Sequence, residues 1–486
     1  MKTLRLTIDA VPKGAWGNNL RKALPKKDWD ILRHACYERA GNKCSCCGEK
    51  TDKLDAHEVW DYDIQAKTQT LVDIVALCSL CHLVKHIKYT EAESKLDIAK
   101  RHFYKINKCT VDVFANHFIE AEMLYLERNK VEKWELCAPT LAQLGGESIE
   151  FDPKEKIEIL NPYKNVDWAK VYHIKAALHT HTVNSLPVDR GAGNTPPQQL
   201  VKAYDKAGFG AIILIAHDYV SYVPGNPLIN VLGNELSKEP EHILSYGTAY
   251  EDKVGVGFDQ NLANIKSSGG IVYLAHPNRN KKPAKWWADK ISMNDVIKGI
   301  EVLNTRRFSR DSSEKVWDEI LTKTMPNRIV YGIATDDNHS STDIGPSSDL
   351  GAGYTTLLLP EKQLNNQGFF EALKTGQMYF SSHRMTEGED DNKPKPSALC
   401  PKITKVVVKD NTITVFADRA GKIEWISDGQ VVHTVECKLK SLKVSFNVRD
   451  IEGSYVRFKL VGVGGQTLSQ PFGIVRVRYF QPTKAH

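Results

Sequence analysis

Between residues 165 and 385 the chain repeats one pattern: a short apolar run, a polar end, then an amphipathic stretch. The runs are IKAALHT, AIILIAHD, IVYLAHP, GIEVLN and IVYGIAT, and PQQLVKAYDKAG is one of the stretches between them. Short buried strands alternating with helices predict a parallel α/β sheet or barrel. In such folds the chemistry sits at the carboxyl ends of the strands. What stands at those ends here is mostly His, Asp and Glu.

LHTHT places His179 and His181 two residues apart, so on a strand both point the same way. AHD supplies His217, GNELSKEPEHIL supplies Glu235 and His242, AHPN supplies His276, and TDDNHS supplies Asp337 and His339. A lone histidine at such a place is commonly structural. Six histidines and two carboxylates recurring there need partners once buried, and a metal cluster supplies them. Arg306 and Arg307, after GIEVLN, are candidates to clamp a phosphate. Asp218 and Asp336 are candidate partners of the ligands.

The order HxH, (A)H, NE, HP, DxH over residues 170–385 resembles the polymerase-and-histidinol-phosphatase (PHP) superfamily. That resemblance implies a distorted (β/α)7 barrel and a two- or three-metal site of zinc, manganese or iron, suited to phosphoester hydrolysis. It implies one metal on His179, His181, Glu235 and Asp337, and a second on Glu235, His242 and His276. A third falls to His217 and His339, with Asp189 a candidate for its remaining ligand. Ala216 stands where the family carries Asp. ALKTGQMYFSS and the terminal YVRFKLVGVGGQTLSQP are similar to the carbaryl-hydrolase-like branch, whose substrates include esters and carbamates.

Cysteine usage predicts a second site. Cys44 and Cys47 form one CxxC, and Cys78 and Cys81 another. Four thiolates so spaced fit a tetrahedral structural Zn2+. Cys46 is an extra thiol. His82 and His86, four apart, share one helix face. CSCCG, then DAHEV, then LCSLCHLVKH, within residues 30–90, resembles the HNH (ββα-metal) endonucleases. The resemblance implies His57 as general base, His82 or His86 as ligand of Mg2+ or Mn2+, and a nucleic-acid partner. Ala56 precedes that base, Asp73 replaces the family's middle Asn, and Asp55 and Glu58 are substitute ligands. A zinc-stabilised module that binds without cutting is the other reading.

Charge is consistent with modules. Residues 1–50 hold 11 Lys and Arg against 5 Asp and Glu, which suits phosphate contact. Residues 401–486 hold 14 against 7 and read as period-2 strands, a small all-β sandwich. No apolar run reaches the roughly 18 residues of a membrane span, and no apolar signal segment opens the chain, so a cytoplasmic location is expected.

The expected organisation is multidomain α/β: an HNH-like zinc module with helices over 1–145, a PHP barrel over 165–388 and an accessory sandwich over 400–482. Linkers are expected around 137–153 and 385–402. The expected function is a metal-dependent phosphoesterase acting on a small phosphoester, a nucleotide or nucleic acid, joined to a DNA-binding or DNA-cleaving module. The alternative is a small-molecule ester, carbamate or sugar-phosphate hydrolase with a non-catalytic zinc docking module. Oligomeric state is not legible.

Overall fold

The computed structural model describes residues 4–138, 140–145, 153–185, 193–280, 282–306, 311–339, 342, 348–383, 399–437 and 441–480. Asp189, Arg307, residues 146–152 of the first expected linker and most of the second lie outside the described residues. The chain divides into two compact units, residues 1–156 with 476–486, and residues 157–475. No helix among the described residues is long and apolar enough to cross a membrane.

The first unit is built on a hairpin. Strands β1 (Leu54–Asp63) and β2 (Thr68–Cys78) pair antiparallel, His57 opposite Val75. Asp63 shapes the turn: its Oδ1 accepts from the backbone of Gln65 at 2.8 Å and Ala66 at 2.9 Å. β3 (Glu135–Cys137) adds to β2 in parallel. Among the described residues six α-helices accompany the hairpin: α1 (Leu20–Ala23), α2 (Lys26–Arg39), α3 (Ser79–Lys85), α4 (Ile87–Ala92), α5 (Leu96–Asn107) and α6 (Val111–Arg128). Helical spacing explains which faces are buried: α2 turns Trp29, Leu32 and Cys36 inward, onto Leu71, Ile74 and Leu136. β2 runs directly into α3, so Cys78, Cys81, His82 and His86 follow a rigid strand end.

β4 (Pro153–Leu160) spans the division, and the second unit carries β5 (Val171–His181), β6 (Ala211–Ile215), β7 (Ile229–Asn230), β8 (Gly233–Leu236), β9 (Ile243–Tyr246), β10 (Ile271–Leu274), β11 (Ile297–Asn304), β12 (Asp311–Ser312), β13 (Tyr331–Thr335), β14 (Gly353–Pro360) and β15 (Met378–Ser382). One ladder runs β15-β14-β5-β6-β7; the other runs β12-β11-β10-β9-β8, with β13 on β11. β5 with β6, β10 with β11, and β11 with β13 are parallel, whereas β8–β9 and β14–β15 are antiparallel. A closed (β/α)7 barrel is therefore not what the described residues form. The two ladders meet at single bridges, Thr180 with Asn338 and His217 with Glu235. These bridge residues lie at or beside the metal-donor candidates.

The C-terminal strands do not stand apart from this sheet. β22 (Gly465–Leu468) pairs with β15, Leu468 opposite Phe380, and continues through β21 (Tyr455–Gly462), β18 (Lys422–Ser427) and β19 (Gln430–Glu436). A second layer of β16 (Lys402–Lys409), β17 (Thr412–Asp418) and β20 (Ser441–Asn447) covers it. Ile403, Val415, Trp425, Phe446 and Phe458 fill the space between. The sandwich expected over 400–482 thus shares one layer with the central sheet.

A buried ion network locks β21 to the helix Glu314–Thr324. Arg457 donates to both Asp318 oxygens at 2.7 and 2.6 Å and to Glu314 at 2.7 Å. Removing one partner strands a buried charge, so Asp318→Ala is expected to lower urea stability by about 3–5 kcal/mol. Burial pushes the Glu314 carboxyl up, but Arg457 and Lys459 outweigh it and hold it below the ordinary value. A depressed carboxylate stabilises above its unfolded value and loses that contribution as pH falls. Glu314→Gln should therefore flatten the acid limb of a stability–pH curve while lowering the plateau near neutrality.

Candidate metal centres

In the second unit the donors sit where the strands stop. β5 ends in His179 and His181, both fully buried. β6 is followed by His217, β8 contains Glu235, β9 is preceded by His242, β10 is followed by His276 and β13 by Asp337 and His339. His276 and Asp337 take positive φ, 29° and 46°, a strained backbone for non-glycine residues that persists where surroundings dictate it.

Glu235 is the hub. Its Oε2 lies 3.2 Å from His179 Nε2 and 3.3 Å from both His181 Nε2 and His217 Nδ1. Its Oε1 lies 2.8 Å from His242 Nδ1 and 3.0 Å from His276 Nε2. Asp337 Oδ1 stands 3.5 Å from His179 Nε2, 3.3 Å from His181 Nε2 and 3.4 Å from His339 Nδ1. Three overlapping groups result, with donor atoms within 4.8 Å of one another: His179, His181 and Glu235; Glu235, His242 and His276; His181, His217 and His339. The structure brings together every donor named from sequence for this centre among the described residues, and His181 belongs to two groups.

This donor set fits cations. His179 Nε2 and His181 Nε2 approach to 3.0 Å. Two such nitrogens face each other with either a proton or a cation between them. Glu235, Glu301 and Asp337 are buried carboxylates, and Arg279, 3.3 Å from Asp337 Oδ2, is the guanidinium beside them. Buried negative charge of that size needs compensation. Burial opposes ionisation of Glu235, yet the imidazoles, His179 first, hold its carboxyl well below the usual range. Burial likewise opposes protonation of His179, and Asp337, Glu301 and Glu235 reverse the effect.

Glu301 was not singled out from sequence. It is fully buried on β11 and accepts from His179 Nδ1 at 2.9 Å, from the His276 backbone at 2.8 Å, from Asn304 at 3.1 Å and from Thr335. The signal was present: one acid inside the apolar run GIEVLN. Asn304 also donates to Asp337 Oδ2 at 3.0 Å. Such partners set imidazole orientation and basicity. Glu301→Gln is expected to weaken metal retention about 10- to 100-fold in a chelator competition.

Other expectations land differently. Asp218 holds the turn after β8, accepting from the Ser237 backbone at 2.7 Å. Asp336 accepts from Tyr204 at 2.6 Å and the Gly351 backbone at 2.7 Å, and burial pushes its carboxyl up to about 7. Tyr204 in turn takes hydrogen bonds from Thr180 and Asn338, so Asp336 supports the bridge between the ladders rather than a donor. Arg306 is half-buried beside the centre, its backbone N–H on Asn304 Oδ1 at 3.3 Å.

The first unit holds two further groups. Cys44, Cys47, Cys78 and Cys81 place their sulfurs within 4.8 Å of one another. The knuckle is local: the Gly48 N–H reaches Cys44 O at 2.8 Å, and the Ser45 N–H reaches Ala76 O at 2.8 Å. A hydrogen bond from Cys81 holds the Cys44 thiol down to about 4, while burial pushes Cys78 up to about 12. Four sulfurs this close together fit a cation. His102, on α5, lies 3.1 Å from Cys81 Sγ.

His57, His82 and His86 form the second group, ring centroids 4.7 to 5.3 Å apart. All three offer nitrogens within 4.8 Å of one another, where the sequence assigns His57 as base and His82 or His86 as ligand. His57 Nε2 meets Asp9 Oδ2 at 2.7 Å, and Lys85 meets Asp9 Oδ1 at 2.9 Å. Asp9, some 48 residues upstream, carried no sequence signal. Asp55 pairs with His82 at 3.2 Å. Glu58 instead takes the backbone N–H groups of Leu20 at 2.8 Å and Arg21 at 3.3 Å, at the start of α1. Burial pushes it up to about 7. Asp73 is half-buried, pairs with Arg39 at 3.0 Å and is not part of the histidine group. A cleft of about 1080 Å3 opens over them, lined by Trp16, Trp29, Tyr37, Trp60, Tyr62 and Tyr89 among others.

No protein-family model and no curated protein matches this chain. Among solved structures it is similar to a two-domain protein from Bacteroides vulgatus ATCC 8482 containing a predicted PHP-like metal-dependent phosphoesterase. The identity is 14% and the TM-score 0.35, over 66% of this chain and 98% of that one. At that distance the reading of function rests on the donor geometry.

Proposed function

We propose that the second unit is a metal-dependent phosphoesterase of the PHP type, and that the first is a zinc-stabilised module that binds nucleic acid. The observation that carries the hydrolase is the convergence of five imidazoles on the two oxygens of Glu235. His179, His181, Glu235 and Asp337 would hold one divalent ion, Glu235, His242 and His276 a second, and His217 with His339 a third. Bound zinc, manganese or iron supplies an acidified water and neutralises charge on phosphoryl oxygens. The chain's residues do the rest. Glu301 fixes the His179 ring, Asn304 fixes Asp337, and Arg279 offers a guanidinium to a phosphoryl oxygen. Arg306 enters beside Asn304 as a second clamp.

For the first unit, Cys44, Cys47, Cys78 and Cys81 would hold Zn2+, and His57, His82 and His86 would hold Mg2+ or Mn2+. The six aromatic rings of the cleft, with Arg21, Lys26, Arg33 and Lys88, suit bases and phosphates. Binding without cutting is supported by Glu58: this substitute ligand is taken up by the backbone at the start of α1 and stands outside the three-histidine group.

One panel tests both. Wild type, His57→Ala and His179→Ala are assayed with Mn2+ or Zn2+ on a chromogenic phosphomonoester, a phosphodiester, a carboxylester and plasmid DNA. Phosphoester turnover should vanish in His179→Ala and persist in His57→Ala, and DNA retention should fall in His57→Ala. Faster turnover of the carboxylester than of either phosphoester would move the second unit to the small-molecule esterase reading.

A further inference from the structure

Helix α6 has two apolar faces, and its packing uses one. Phe114 and Ala121 are buried, His117 Nε2 accepts from the Ile8 backbone at 2.9 Å, and Arg128 donates to Ala10 O at 2.8 Å. On the opposite side Val111, Ile119, Met123 and Leu126 are 65, 56, 66 and 61% exposed, and Ala115 is exposed between them. At 100° per residue these five lie in one 120° sector, wide enough to seat a second helix, and Glu122, paired with Lys88, borders it. Single exposed apolar residues are ordinary; a stripe running the length of an 18-residue helix marks a contact surface.

We infer that this stripe is a self-association surface on which α6 pairs antiparallel with α6 of a second copy of this chain. Charge selects the occupant and the direction. Asp112 opens the stripe and Lys130 closes it, both exposed and neither in an ion pair among the described residues. In an antiparallel pair each Asp112 meets the second copy's Lys130, Ile119 packs beside Met123, and Ala115 lies against Leu126. A two-fold axis repeats every contact, as an isologous interface requires. A parallel pair would set Asp112 and Lys130 against their own counterparts and align the helix dipoles. The two stripes together would bury roughly 1,000 Å2, near the lower bound of a specific interface. A modest, reversible dimer follows.

Sedimentation of the full chain over a concentration series tests this. Wild type should dimerise in the micromolar range. Ile119→Glu with Met123→Glu should give monomer with unchanged far-UV dichroism, because both side chains already face solvent. Asp112→Lys and Lys130→Asp should each weaken the dimer about tenfold, and the double reversal should restore it. A wild type that stays monomeric at 100-fold higher concentration, or a dimer untouched by the two glutamates, overturns the proposal. Failure of the double reversal to rescue overturns the antiparallel register. Monomeric variants with newly protease-sensitive α6 would assign the stripe to another segment of the same chain, and overturn it too.

Discussion

Glu235→Gln should abolish phosphoester hydrolysis, with kcat falling at least about 1,000-fold, on the order of 4 kcal/mol. The substitution keeps volume and shape but turns one oxygen of the hub into an N–H2 donor. That donor would face either His179, His181 and His217, or His242 and His276. Imidazole nitrogens poised to give electron pairs to a cation would meet hydrogens instead. One negative charge also leaves a centre whose remaining buried acids are Asp337 and Glu301. Metal content and rate should therefore fall together, read by elemental analysis alongside turnover of a chromogenic phosphate ester. A Glu235→Gln protein that loses metal but keeps its rate would remove the second unit from the metal-dependent hydrolases. Retained metal with a lost rate would place Glu235 in proton handling.

Cys78→Ser should unfold the first unit. Cys44, Cys78 and Cys81 are themselves core residues, packed with Leu77, Val84, Ile87, Phe103 and Phe114. A structural zinc in small domains is worth about 10–16 kcal/mol, comparable to the whole stability of an ordinary domain. Serine supplies a weak ligand and a buried hydroxyl in place of a sulfur. The expected readouts are loss of one zinc per chain and rapid proteolysis within residues 4–138. Strong chelation of wild type should reproduce both. Cys46→Ser is the control: Cys46 is outside the four-sulfur group and its replacement should leave zinc in place. Equal zinc loss in both variants would reassign the fourth ligand.

Several elements were legible because they are local. The strands after position 165 announce themselves by apolar runs, and their polar ends carry the donors. The CxxC pairs flank a hairpin whose turn is set by Asp63. Other elements were not legible. Glu301 looks like a stray acid in a strand until His179 and the His276 backbone are folded onto it. Asp9 reaches His57 across the chain. Glu58 reads as a spare ligand, but a backbone end 38 residues earlier claims it. That the expected sandwich shares a layer with the central sheet was hidden for the same reason: Phe380 opposite Leu468 is a pairing between distant segments.

What the sequence determined by itself is which chemistry is available: thiols in pairs, imidazoles two or four residues apart, carboxylates at strand ends. Periodicity and spacing are properties of neighbouring residues, so they survive without knowledge of the fold. Only the tertiary structure decided which donors share a point, which acid orients them, and how the central ladders meet. Those outcomes depend on contacts over tens to hundreds of residues, where hydrogen-bond distances of about 3 Å are set by packing rather than by sequence order.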